Sequence, residues 1–164
     1  MWERIVALAL PCYVANGTPV VTARLFPRRH PVDFGLKFFD GRRLFGDSKS
    51  IEGFLSGFGA GLATGYFLSM KGMLSVEEGA VLSFGTMLGD LIGSFIKRRL
   101  GLEAGSPAPL LDQLSFLITA LALYGIFFGF PEPTVALALF IITPPLHLAT
   151  NVVAYKLKLK DKPW

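Results

Sequence analysis

The residues best suited to chemistry lie in residues 85–112, where polar side chains stand inside an apolar helical pattern. Four of them follow one another at i, i+4, i+7 and i+8: Asp90, Ser94, Lys97 and Arg98. On a helix this spacing forms one continuous face. A carboxylate suits a divalent cation, which prefers oxygen ligands, whereas a hydroxyl and two cations suit phosphate oxygens. The pattern predicts a joint site for a metal ion and a phosphate.

A second carboxylate, Asp112, opens the next apolar run and can meet Asp90 from the facing helix. An aspartate inside a membrane span costs about 3 kcal/mol on insertion scales, so it usually faces a cavity and a partner. Other interpretations remain open. Each aspartate could simply hydrogen-bond a neighbouring helix, and the basic residues 97–99 alone could be a topology anchor. Two carboxylates around a basic loop favour a ligand site.

Composition indicates which elements must position these side chains. The 164 residues are 52% hydrophobic and 17% charged, with a mean hydropathy of +0.52. Several apolar runs approach or exceed the length of about 18 residues that marks a membrane-spanning helix. The net charge is +4, and the basic residues lie beside these runs. This distribution therefore favours membrane topology and anionic ligands over nucleic acid. Cys12 is the single cysteine, which excludes an internal disulfide.

The chain is predicted to be an all-α integral membrane protein, with residues 1–164 forming a single transmembrane domain. We expect Pro11, Asn16 and Pro19 to interrupt the first span, and we expect that span to be retained rather than cleaved as a signal peptide. A long loop and a shorter one are predicted to be cytoplasmic: 24–50 and 97–108. Five transmembrane helices are predicted, over residues 5–23, 51–70, 76–95, 109–130 and 134–155.

The distribution of basic residues predicts the orientation of this domain. Fourteen of the 16 Lys and Arg residues lie in the two loops and in the tail from residue 156. Basic loops stay on the cytoplasmic side. The prediction is an N-terminus outside, a C-terminus in the cytoplasm, and a site that faces the cytoplasm from a multi-pass protein of the cell membrane.

Glycines predict how two of the helices pack. They recur at every fourth residue in both spans: Gly53, Gly57, Gly61 and Gly65, then Gly85, Gly89 and Gly93. Such small faces let helix backbones approach closely. We expect the second and third helices to pack on each other or on equally small neighbours.

The candidate site resembles a known enzyme family. GDLIGSFIKR, residues 89–98, is similar to the G-D-L-x-x-S-x-x-K-R core of the phosphatidate cytidylyltransferases, and SKSIEGFLSG, residues 48–57, to the segment that precedes a span in them. The loop DFGLKFFDGRRLFGDSKS, the ANGTPV of the first span and the KDKPW terminus resemble the compact archaeal branch, the CDP-archaeol synthases.

The resemblance implies a reaction of CTP with a geranylgeranyl diether glycerol phosphate, an isoprenoid ether lipid phosphate, to give a CDP-activated lipid and pyrophosphate. It implies Mg²⁺ on Asp90 and Asp112, with these two and Lys97 as catalytic residues. Substrate binding is implied for Asn16, Lys37, Asp40, Arg42, Arg43, Lys49, Ser50, Glu52, Ser94 and Arg98. Gln113 and Ser115 depart from the family's D-R-x-D element. The number of metal ions therefore stays open, as does the oligomeric state.

Two other classes remain to be weighed. A five-span protein with a polar pocket could carry an anionic metabolite, although such transporters usually show internal repeats and a site near the bilayer midplane. A CDP-alcohol phosphotransferase would carry a D-G-x-x-A-R…D-x-x-x-D pattern, which this chain lacks.

Overall fold

The computed structural model describes residues 1–26 and 28–163. In these residues the regular structure is all-helical, without a β-strand, and the loop before the second helix holds two isolated β-bridges, Pro31 with Ser50 and Lys37 with Arg43. The five helices are α1 (Trp2–Leu25), α2 (Ile51–Met70), α3 (Val76–Arg99), α4 (Leu111–Phe128) and α5 (Pro133–Lys156).

Four of these helices are long and apolar enough to cross a membrane: α1, α3, α4 and α5. The predicted all-α membrane fold is therefore confirmed in this coarser form. Helix α2 has 20 residues, but its five glycines lower its mean hydropathy. Its crossing stays a prediction.

Helix α1 differs from the expectation that prolines would interrupt it. It runs without a break through Pro11 and Pro19. Membrane-spanning helices tolerate proline where neighbouring groups satisfy the freed backbone atoms. The helix thereby carries Tyr13 and Asn16 on one rigid element to the loop-facing end of the bundle.

Close packing of glycines holds α2, α3 and α4 together. A Cβ atom on Gly65 would lie 2.6 Å from the Cα of Gly79, so these helices touch backbone to backbone. The glycines at 85, 89 and 93 face α4 instead, with a Cβ on Gly89 2.5 Å from the carbonyl oxygen of Ser115. The predicted contact between α2 and α3 is confirmed, and the second glycine series packs on another small surface.

Substituting Gly65 with alanine should destabilise the fold, because the new methyl group would meet backbone rather than a flexible side chain. Overpacking of this kind typically costs about 1–3 kcal/mol. We expect a lower thermal unfolding midpoint in detergent. Gly59→Ala is the matched control on the same helix, since a Cβ there has no atom within 4 Å. Equal midpoints for the two variants would contradict the assigned contact.

Candidate active site

A cavity of about 640 Å³ opens where the loops at one end of the bundle meet. All four residues of the predicted α3 face line it: Asp90, Ser94, Lys97 and Arg98. Three further predicted site residues join them from other elements: Asn16, Lys49 and Asp112. The structure therefore brings both aspartates and three of the predicted phosphate-binding cations to one cavity.

Asp90 and Asp112 are each paired with a lysine. Lys49 Nζ lies 2.7 and 2.6 Å from the two carboxylate oxygens of Asp90. Lys97 Nζ lies 2.9 and 3.1 Å from those of Asp112, and it also donates to the Ser106 carbonyl oxygen at 2.6 Å. The backbone amide of Ala108 donates to Asp112 Oδ2 at 2.9 Å. The carboxylates are thus held in place by donors from α3 and from two loops.

Arg98 presents a different environment from the two lysines. The residue is 9% exposed, and its Nε atom is buried without a hydrogen-bond partner among the described residues. Buried polar atoms of native proteins are nearly always paired, so an exception calls for an explanation. A guanidinium matches the geometry of phosphate oxygens. An anionic ligand in the cavity would satisfy it.

The loop between α1 and α2 is folded so that it delivers Lys49 to α3. Two hydrogen bonds join its ends. The Val32 amide donates to the Lys49 carbonyl oxygen at 2.8 Å, and the Ile51 amide donates to the His30 carbonyl oxygen at 2.9 Å. Ser50 caps α2 by accepting from the Gly53 amide at 3.1 Å. Lys49 is therefore fixed immediately before a helix start.

Asp33 is the buried centre of this loop, with 2% of its surface exposed. It accepts hydrogen bonds from the Arg43 guanidinium and from the amides of Gly35, Phe45 and Gly46. Burial opposes ionisation of its carboxyl group, but these donors outweigh burial and hold the pKa of Asp33 well below its usual range. The carboxylate stabilises the loop from inside.

Asp33→Asn should loosen the loop and lower activity by displacing Lys49. Breaking a buried pair costs about 3–5 kcal/mol, whereas an exposed pair contributes about 0–1 kcal/mol. Asp47→Asn is the matched control, because Asp47 also pairs with Arg43 but its side chain is 79% exposed. We expect faster proteolysis within residues 26–50 for Asp33→Asn alone. Equal cleavage rates for the two variants would contradict this role.

Arginines of the same loop dock it onto the end of α3. Arg42 Nη1 donates to the carbonyl oxygens of Arg98 and Arg99 at 3.2 and 2.8 Å, which satisfies carbonyls that a helix end leaves unpaired. The Arg99 guanidinium stacks on Phe38 and Phe95, 4.9 and 4.8 Å from their ring centroids. The loop thereby becomes one wall of the site.

Six predicted substrate-binding residues lie outside the cavity lining: Lys37, Asp40, Arg42, Arg43, Ser50 and Glu52. Besides the Arg42, Arg43 and Ser50 contacts above, Asp40 pairs with Arg99 at 3.0 Å and Glu52 with His30 at 2.6 Å. Lys37 lies in a β-bridge. In this structure all six shape or attach the loop, and their contact with substrate stays a prediction.

Some cavity residues were not assigned from the sequence. His147 and Asn151 of α5 line the cavity and lie 3.2 Å apart between Nδ1 and Nδ2. Their spacing of four residues on an apolar helix is a local signal of a shared face. Arg29 and Lys160 also line the cavity. In the sequence both contribute only to the distribution of basic residues that predicts topology, because their place in the cavity depends on how the loop and the tail fold.

The donor set fits a Mg²⁺ site in which substrate phosphates complete the coordination of the ion. Mg²⁺ is usually held by one or two carboxylates together with waters and substrate phosphates, rather than by an all-protein cage. Among residues 1–26 and 28–163 no group of three His, Cys, Asp or Glu side chains could hold a metal ion. Asp90 and Asp112 line one cavity beside cations suited to phosphate, which matches a site that protein and substrate complete together.

Comparison with known proteins agrees with this geometry. Residues 3–164 match the CarS-like family, CDP-archaeol synthase. The chain is similar to the CDP-archaeol synthases of Pyrobaculum aerophilum, 52% identical over 96% of this chain and 95% of the relative, and of Thermofilum pendens, 48% identical over 94% and 78%.

A solved structure of an intramembrane enzyme for archaeal membrane lipid biosynthesis shares the fold. It superposes with a TM-score of 0.80 at 47% identity, and the match covers 90% of this chain and 92% of that one. Sequence and fold agree over nearly the whole length. The chain therefore belongs to the CDP-archaeol synthase family.

Proposed function

We propose that this protein transfers a cytidylyl group from CTP to an isoprenoid ether glycerol phosphate, forming a CDP-activated lipid and releasing pyrophosphate. The observation that carries the proposal is the cavity that Asp90 and Asp112 line together with Lys49, Lys97 and Arg98, within a chain of this family. Both substrates are anions, so a site that binds them together must supply compensating charge.

The reaction follows from the charges of the cavity. An oxygen of the lipid phosphate attacks the α-phosphorus of CTP, and the bond from that phosphorus to the oxygen bridging to the β-phosphate breaks in line with it. The attacking oxygen is already ionised at neutral pH, so no general base is needed. The protein's task is to hold two anions at reacting distance, which is catalysis by positioning.

Lys49, Lys97 and Arg98 are the residues placed to do this. The two lysines are point charges on flexible stems, so each can contact a phosphate oxygen while staying near its aspartate. Arg98, whose Nε is buried without a hydrogen-bond partner among the described residues, adds a planar fork to the cavity lining. Mg²⁺ held by Asp90 and Asp112 would neutralise charge on the triphosphate and on the departing pyrophosphate.

We further propose that all five helices cross the membrane and that the cavity opens to the cytoplasm. The support is the concentration of 14 of the 16 Lys and Arg residues in the loops and tail at one end of the bundle. The cavity lies at that end, since its lining comes from these loops and from the tail. CTP would then enter from the aqueous side and the lipid from the bilayer.

The test is pyrophosphate release by purified protein in detergent, with CTP, Mg²⁺ and a geranylgeranyl diether glycerol phosphate, and with each component omitted in turn. Release that requires all three supports the proposal. If folded protein releases none in any combination, the proposal is wrong. Anion flux in liposomes would then test a carrier.

A further inference from the structure

The segment after α5 does not continue away from the bundle but turns back toward the cavity. The Leu159 amide donates to the Ala154 carbonyl oxygen at 2.8 Å, and the Lys158 amide donates to that of Tyr155 at 2.9 Å. These are the two hydrogen bonds of a Schellman motif, which ends a helix with a residue in the left-handed region. Lys158 occupies that position with a φ of 58°.

Two contacts between described residues attach the reversed tail to the helices. Asp161 forms an ion pair with Arg24 of α1, with Oδ1 and Nη2 3.1 Å apart. Lys160 Nζ donates to Asn151 Oδ1 at 3.0 Å, and Asn151 contacts His147. As a result, residues 159–162 line the same cavity as Asp90 and Asp112.

The charge on Lys160 is placed in an environment that favours an anion. Burial lowers the pKa of its ammonium group, and the nearby cations Lys49 and Lys97 lower it too, while Asp112 opposes them. A bound anion would offset the burial and the repulsion together.

We propose that Lys160 is a phosphate-binding residue of this site, brought to the cavity by the reversal of the tail. The inference rests on the proposed function and deepens it, because it assigns a further cation to the anionic substrates. The phosphates of the nucleotide and the phosphate of the lipid share this chemistry, and kinetics can separate them. In either case the C-terminal tail is part of the active site.

A purely structural role makes a different prediction. If Lys160 only attached the tail to Asn151, a neutral side chain that keeps a hydrogen-bond donor would suffice. Lys160→Gln retains a donor and loses the charge, while Lys160→Arg keeps the charge. Lys158→Gly is the matched control, because it removes one lysine from the same tail, and glycine adopts the positive φ of that position readily.

The experiment measures pyrophosphate release while CTP and the lipid phosphate are varied separately. For Lys160→Gln we expect KM to rise about tenfold or more for at least one of the two, as loss of a charged hydrogen bond predicts. Lys160→Arg should recover much of the affinity, and Lys158→Gly should match the wild type. A rise for CTP alone identifies the nucleotide phosphates, and a rise for the lipid alone identifies the lipid phosphate.

Unchanged KM values for both substrates in an active Lys160→Gln protein would overturn the inference and leave the proposed function standing. So would equal losses in Lys160→Gln and Lys158→Gly, because charge in the tail would then act without regard to the cavity. A wild-type protein that releases no pyrophosphate would instead reject the proposed function, so the two failures are distinguishable.

Discussion

Replacing Asp90 or Asp112 with asparagine should leave the helices folded and reduce magnesium-dependent turnover by about 10³-fold or more, the several kcal/mol expected for lost metal catalysis. Asparagine keeps the size of the side chain and an oxygen that can accept from Lys49 or Lys97. The charge that attracts a divalent cation is removed. The measurement is the pyrophosphate release rate as a function of Mg²⁺ concentration, together with the thermal unfolding midpoint.

Asp47→Asn provides the control for this pair, since it removes a carboxylate from an exposed position of the loop between α1 and α2. It should retain turnover close to that of the wild type. Turnover near the wild-type rate in either Asp90→Asn or Asp112→Asn would contradict the assignment of that aspartate to the metal. Direct Mn²⁺ binding, followed by electron paramagnetic resonance with and without CTP, would give a readout that does not depend on turnover.

Arg98→Met should weaken CTP binding by about 10²-fold, because the proposed contact of its guanidinium with phosphate would be lost and a hydrogen bond to a charged group contributes about 1.5–3 kcal/mol. Methionine can replace the apolar stem of the arginine inside the cavity wall. The folded state should therefore persist. Titration calorimetry with CTP and Mg²⁺, in the absence of lipid, measures the effect without turnover.

Arg99 is the informative comparison, since it is the adjacent residue and carries the same charge. Its guanidinium stacks on Phe38 and Phe95 and donates to the Arg42 and Arg43 carbonyl oxygens. Arg99→Met should therefore increase proteolysis of the loop, whereas Arg98→Met should not. If Arg98→Met left CTP affinity unchanged, the assignment of its buried donor to a phosphate would be wrong.

The site residues on one face of α3 were predictable from the local sequence pattern. Asp90, Ser94, Lys97 and Arg98 share one face because helix geometry relates residues four and three apart, and all four line the cavity as predicted. The helices were also predictable from local pattern, because each one contains a long apolar run. Their observed bounds differ from the predicted ones by a few residues, mainly because α1 and α3 extend past their apolar segments.

The loop between α1 and α2 shows where local pattern fails. Four of its basic residues are predicted to bind substrate, yet only Lys49 of Lys37, Arg42, Arg43 and Lys49 lines the cavity. Lys49 pairs with Asp90, 41 residues away along the chain. Arg43 instead pairs with the buried Asp33, and Arg42 turns to the end of α3. Residue type alone cannot separate these outcomes, because each depends on how the loop closes.

The sequence by itself determined the membrane class, the helices and the face of α3 that carries the site, because hydropathy and helical spacing are local properties. Only the tertiary structure decided which cations meet the carboxylates, which arginines support the loop, and that Lys160 returns to the cavity from the tail. The physical reason is that charges interact over a few ångströms in space. Their neighbours are set by chain reversals and helix contacts that join segments far apart in the sequence.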